Sequence, residues 1–256
     1  LVNSTHAERI HALWDELSDF DVSQSEAAAA HLMQSLVGLA GVENAAWAGA
    51  VRVGGPDDPL FGWRVAPVKT TDPDLDPDQA HFNVLPAWDE RDIDPCFLLP
   101  MRNVGAFRTY SLRRELPAAW FESSFYRRQY GGAGIYDAVF VGFPLNEDCE
   151  SHFGFYASQP VADETIELLA YALRGIKWFH RQLLMSHGLL LASAPLTPTE
   201  HKVLQLLLTE ATEKRVAHQL GLAESTTHQH VVAIFRKFGV RSRAGLMSLW
   251  FNRPAA

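Results

Sequence analysis

Residues 224–238 hold the side chains best suited to recognition chemistry. Thr227, Val231, Ile234, Phe235 and Phe238 recur at i, i+4, i+7, i+8 and i+11, which predicts a helix with that stripe turned inward. The opposite face then carries Ser225, His228, Gln229, Val232 and Arg236. These types suit the major groove of double-stranded DNA. Gln can pair with adenine through two hydrogen bonds, His can donate to guanine, and Val can touch a thymine methyl. Lys214, Thr226, His230, Arg236 and Lys237 fall where hydroxyls and cations would hold phosphates and set the register.

Such a face needs elements to present it. Thr197-Pro198-Thr199-Glu200 reads as a helix start, with Thr as cap, Pro at the first helical position and Glu completing the box. That helix is expected to reach about Leu208, and a second to run from Thr212 to Leu220. Gly221 makes a tight turn into the third, which ends at Gly239. A fourth is expected from Ser242, carrying Leu246, Met247, Leu249 and Trp250. Two helices joined by a Gly-containing turn are the helix-turn-helix arrangement.

The overall charge of −8 over 256 residues argues at first against a polyanionic partner. The average conceals a division: residues 196–256 carry eight basic and four acidic side chains, or +4, and the preceding part carries −12. That asymmetry predicts two domains with different partners. Two cysteines, Cys96 and Cys149, exclude a disulfide framework, and no Cys/His spacing suggests a metal. No apolar run approaches the roughly 20 residues of a membrane-spanning helix, and no secretory leader is visible, so a cytoplasmic location without membrane contact is expected.

The stretch LTPTEHKVLQLLLTEATEKRVAHQLGLAESTTHQHVVAIFRKFGVRSRAGL (196–246) resembles the DNA-binding domain of the LuxR family of bacterial transcription regulators. Its LTPxE opening, its KxxA-x-x-LGL core and its EST…H…I-x-RK-x-GV-x-SRA run carry the resemblance. It implies a homodimer formed partly by the fourth helix through Leu246, Met247, Leu249 and Trp250, and contact with RNA polymerase if the protein is an activator. Ala223 stands where the family usually has a Ser or Thr cap, and His228 and Val232 stand where it often has lysines.

Upstream, residues 4–19 and 23–40 read as helices, the second capped at Ser23. Residues 45–53 and 61–68 read as strands, 118–130 as a helix, 136–143 and 152–156 as a hairpin across a loop at 144–151, and 161–187 as one long helix. Residues 70–79, with four Asp and two Pro, read as a solvated loop, with calcium binding as the sharper alternative. The order predicts an α+β fold, an α/β/α sandwich with an antiparallel sheet flanked by helices, followed by an all-α four-helix tail. The expected division is 1–187, a linker at 188–196, and 197–256.

No G-x-S-x-G, Walker or HExxH motif occurs, so neither an enzyme nor a cofactor is expected. The first part holds 24 of the 28 aromatics, which suits an apolar pocket for a small-molecule effector, lined by Trp63, Trp88, Phe97, Tyr110, Trp120 and Phe125. The element order is similar to autoinducer-binding and GAF-like sensor domains. That resemblance implies that Asp94 accepts a ligand N–H, with Trp88 and Trp120 as walls; the residues alone equally allow Asp94 to open a turn before Pro95. The other open reading makes the first domain a ligand-independent dimerisation scaffold.

Overall fold

The computed structural model describes residues 3–55, 57–71, 87–88, 90–190, 192 and 194–251, apart from the side chains of residues 66–68 and 251. Most of the acidic loop, 72–79, lies outside these residues, and so do Phe82 and the tail's last five residues. Contacts divide the chain into two compact units: Leu1–Leu17 with Ala29–Lys177, and Ser18–Ala28 with Trp178–Ala256.

The first unit is built on a five-stranded antiparallel sheet. Its strands are β1 (Asn44–Arg52), β2 (Trp63–Thr70), β3 (Arg108–Ser111), β4 (Asp137–Asn146) and β5 (Cys149–Ala157), in the order β2-β1-β5-β4-β3. Ala46 pairs with Gly154, which pairs with Phe140, which pairs with Tyr110. One face therefore carries Ala46, Ala50, Tyr110, Ala138 and Tyr156, because side chains alternate along a strand. The alternate residues Ala45, Trp47, Val139, Val141, Phe153 and Phe155 are all fully buried. Both faces are thus covered, as an α/β/α sandwich requires.

Helices α1 (Ser4–Ser18) and α2 (Ser25–Ala40) precede the sheet, and α5 (Asp163–Arg174) packs against β4 through a face that buries Ile166, Leu169 and Leu173. Short elements cover the other face: 3-10 turns at Pro95–Leu98, Pro100–Asn103 and Ala118–Glu122, with α3 (Leu112–Glu115) and α4 (Ser124–Gln129). They contribute Trp88, Phe97, Leu112, Trp120, Phe121, Phe125, Tyr126 and Tyr130 to one core cluster, together with the sheet's cavity-side residues.

Four local expectations are corrected. The long helix at 161–187 is two helices, α5 and α6 (Lys177–Ser186). At Gly175 the Trp14 indole lies where a Cβ would be, 2.4 Å away, so the chain passes the ring only as glycine. The helix expected at 118–130 is a 3-10 turn followed by α4, because Ser123 is extended and caps α4 from Tyr126 N. The hairpin strands run on to Asn146 and from Cys149, leaving a two-residue turn. Asp21 rather than Ser23 opens the second helical segment, its N–H donating to Gln24 Oε1 at 3.0 Å. Strand β3, too short for a periodic signal, was not anticipated.

In the second unit, α7 (Pro198–Leu207), α8 (Glu213–Leu220), α9 (Glu224–Lys237) and α10 (Arg243–Phe251) follow the expected order. Val203, Leu204, Leu207, Val216, Val231, Ile234, Phe238 and Leu246 form its core. Arg243 on α10 donates to the carbonyls of Leu207 at 2.8 Å, of Ala211 at 2.7 Å and of Thr209, satisfying groups that the end of α7 leaves unpaired.

Candidate nucleic-acid interface and ligand cavity

The tail's geometry begins with its caps. Thr197 Oγ1 accepts from Glu200 N at 3.2 Å and Thr197 N donates to Glu200 Oε2 at 2.7 Å, a closed capping box. Thr212 Oγ1 accepts from Arg215 N at 3.3 Å and opens α8. Gly221, at φ +65°, turns the chain from α8 into α9, a conformation that a side chain would strain. Ala223 makes no side-chain cap at the start of α9, which forgoes about 1 kcal/mol. Glu224 in the first turn offsets part of that through the helix dipole.

Burial orients α9. Thr227, Val231, Ile234 and Phe238 are buried and Phe235 is half-buried. Ser225, His228, Gln229, Val232 and Arg236 are all exposed, on the side away from the core. Val232 is 51% exposed and puts an apolar group on this otherwise polar face. Lys214 and Arg215 on α8 are exposed, and Thr226 and His230 half-exposed. His228 Nδ1 lies 3.0 Å from Glu213 Oε2, so the helix preceding the turn steers this ring.

Two expected roles meet a different geometry. Lys237 Nζ lies 2.6 Å from Glu200 Oε2 and donates to Pro195 O at 2.8 Å, so its charge is spent within the module. That charge, opposing burial, holds the Glu200 carboxyl below the usual range. Leu246 has no exposed surface and belongs to the core, while Met247, Leu249 and Trp250 are partly buried against it. The Trp250 ring packs on Phe238 at 5.7 Å.

The first unit holds a half-open cavity of about 140 Å³. Sheet residues Ala46, Ala48, Ala50, Trp63, Val65, Tyr110, Phe140, Gly154 and Tyr156 form its floor; Trp88, Cys96, Phe97, Pro100, Met101, Leu112 and Tyr130 flank it. Gly154 makes room: a Cβ there would lie 2.9 Å from the Tyr156 hydroxyl and 3.0 Å from the Phe140 ring. Its strongly polar wall is Glu150 with His152. Arg108 grips Glu150 through two bonds of 2.7 and 3.0 Å, His152 Nε2 lies 3.0 Å from Glu150 Oε2, and Gly105 N donates at 2.9 Å. Burial pushes the Glu150 carboxyl up, but the bonds from His152 and Arg108 outweigh it and hold the group at about 2. Desolvation raises the pKa of Tyr110, Tyr130 and Tyr156 above the usual phenol range, so these hydroxyls stay neutral. Burial likewise pushes the Cys149 thiol up to about 12, and Cys96 higher still.

Of the residues expected at a pocket, Trp63, Trp88, Phe97 and Tyr110 line the cavity together. Trp120 and Phe125 belong to the surrounding core cluster, outside the lining. Asp94 Oδ1 accepts from Cys96 N at 2.9 Å and from Trp120 Nε1 at 2.8 Å, so the carboxylate serves the turn and braces an indole. No role at a cavity was expected for Glu150, His152 or Arg108, since Arg108 reaches the Glu150–His152 pair only across the sheet.

A short helix, a left-handed glycine and an outward-facing second helix define a helix-turn-helix DNA-binding module. Residues 194–250 match the family described as bacterial regulatory proteins, luxR family, and this part of the chain is a luxR-family helix-turn-helix domain. That domain marks a DNA-binding transcription regulator, not an enzyme. No curated protein matches the chain. Similar solved structures include SdiA in complex with octanoyl-rac-glycerol, at 13% identity and TM-score 0.45, covering 96% of this chain and 94% of that one. Escherichia coli SdiA is similar at 13% identity and TM-score 0.44, covering 93% and 94%. The VqsR LBD domain from Pseudomonas aeruginosa is similar at 15% identity and TM-score 0.47, covering 72% and 98%. Among the described residues, no helix is long and apolar enough to cross a membrane.

Proposed function

We propose that this chain is a cytoplasmic, dimeric regulator that reads DNA with α9 and whose first unit takes a small apolar effector. The exposed row Ser225, His228, Gln229, Val232 and Arg236 supports the DNA reading most directly. Gln229 and His228 read base edges, Val232 meets a thymine methyl, and Lys214, Thr226, His230 and Arg236 hold phosphates. Lys237 is not in this set, because Glu200 already holds it. In the dimer, Met247, Leu249 and Trp250 contribute and Leu246 supports them from the core.

The cavity supports the effector reading and sets the size of the part that lodges in it. About 140 Å³ is close to the roughly 150 Å³ hole that takes a benzene ring in an engineered apolar core. The enclosed part of the effector is therefore one ring or a short acyl chain. The test has two arms. Fluorescence anisotropy on genomic fragments must show salt-dependent binding, and its absence from pH 6 to 8 would remove the DNA reading. Mass spectrometry of denatured protein, with a thermal-shift screen of small aromatic and acyl compounds, tests the effector. No released molecule and no shift would leave a scaffold in its place.

A further inference from the structure

Glu26, His187 and His201 meet within the second unit, and no part of the DNA or effector reading uses them. Their donor atoms all lie within 4.8 Å of one another. Glu26 is in the first turn of α2, His187 follows α6, and His201 lies on α7, the first helix of the helix-turn-helix domain. His187 and His201 are buried, 6% and 4% exposed, with rings stacked at 4.1 Å and 8°. Lys and Arg are absent from the triad, so its donor chemistry is two imidazoles and one carboxylate.

We propose that these three residues form a site for a divalent transition-metal ion of the zinc class. The donor set is right: imidazole nitrogen and carboxylate oxygen suit Zn²⁺, with water completing a fourth position. The spacing of one pair is also compatible with an ion. His201 Nδ1 stands 3.3 Å from Glu26 Oε1, whereas His31 and Glu16 close to 2.7 Å. Charge-assisted bonds contract to about 2.7–2.9 Å. Bonds of 2.0–2.1 Å to a tetrahedral ion place neighbouring donors about 3.3 Å apart, the separation of the Glu26–His201 pair.

Ring lone pairs lie in the ring plane, so two stacked imidazoles cannot both aim at one ion. Binding must rotate one out of the stack. His187 is the ring better placed to turn: it lies past the end of α6 and precedes Gly188, at φ +70°. The ion would tie α2's first turn and the segment after α6 to α7. The 3-10 turn Val22–Gln24 already packs against α7, so the ion stiffens an existing junction.

Co²⁺, then Zn²⁺, titrated into metal-stripped full-length protein tests this. The expected result is one Co²⁺ per chain with strong visible bands of a tetrahedral site, displaced by Zn²⁺. At a hundredfold excess over Kd the melting temperature of this unit should rise by about 10–20 °C. Glu26→Gln, at a half-exposed position, should keep the fold and weaken binding tenfold or more. His187→Gln should remove the tetrahedral bands. No bands and no melting shift in the wild type would overturn the proposal, as would binding that Glu26→Gln leaves unchanged.

Discussion

Glu150→Gln isolates the polar wall of the cavity. The substitution keeps the shape and removes the charge. Arg108 is then left 7% exposed with no anion against a guanidinium that made two bonds to Glu150. Breaking one side of a buried pair costs about 3–5 kcal/mol. The carboxyl itself gives a second measure. Its fall from 4.5 to about 2 corresponds to roughly 3 kcal/mol at 1.36 per pH unit, in the same range. A carboxylate lowered by folding contributes fully above its unfolded value and loses that contribution as pH falls through the folded one. Wild-type stability should therefore drop between about pH 5 and pH 2, and Glu150→Gln should lack that part of the slope. Urea melts of the full chain, followed by tryptophan fluorescence from the first unit, measure both. A loss under 1 kcal/mol at pH 7, or the same acid slope in both proteins, would show that the pair is not the determinant claimed.

Gln229→Ala should cost about 1–3 kcal/mol on the specific site and relax preference at one base pair, with random DNA unaffected; competition anisotropy separates these. Lys214→Ala should weaken all sequences alike and lower the salt slope by about one. Lys237→Met should leave that slope unchanged but destabilise the tail, as differential melting of the two units would show. Ala223→Ser should stabilise the tail by about 1 kcal/mol in urea, and no gain would mean that α9 is capped by other means. Ala48→Phe should fill the cavity and abolish any effector-induced thermal shift without unfolding the sheet.

The tail was readable because its determinants are local. Caps, the glycine turn and the inward stripe of α9 lie within a few residues of one another, and burial reproduces the stripe position by position. The body was legible only where it is periodic. Its strands β1, β4 and β5 announce themselves, but the need for glycine at 175 comes from Trp14, which no local window contains. The aromatic lining was half visible from composition. Trp63, Trp88, Phe97 and Tyr110 reach the cavity, while Trp120 is drawn aside by Asp94. Arg108 and Glu150 look like ordinary surface charges until β3 and β5 are brought together through β4. Glu26, His187 and His201 are likewise scattered along the chain, so no ligand spacing gave them away.

The grip of Glu200 on Lys237 turns the capping box into a mechanical coupling. One carboxylate oxygen closes the start of α7 and holds the last turn of the reading helix, while the same lysine also grips Pro195. Leu196 in turn donates to His187 O at 3.0 Å, closing the intervening segment on itself. Residue 195 is thus joined to α9 through the Lys237 side chain as well as along the backbone between them. The segment feeding the domain is thereby tied to the end of α9 as well as to the start of α7.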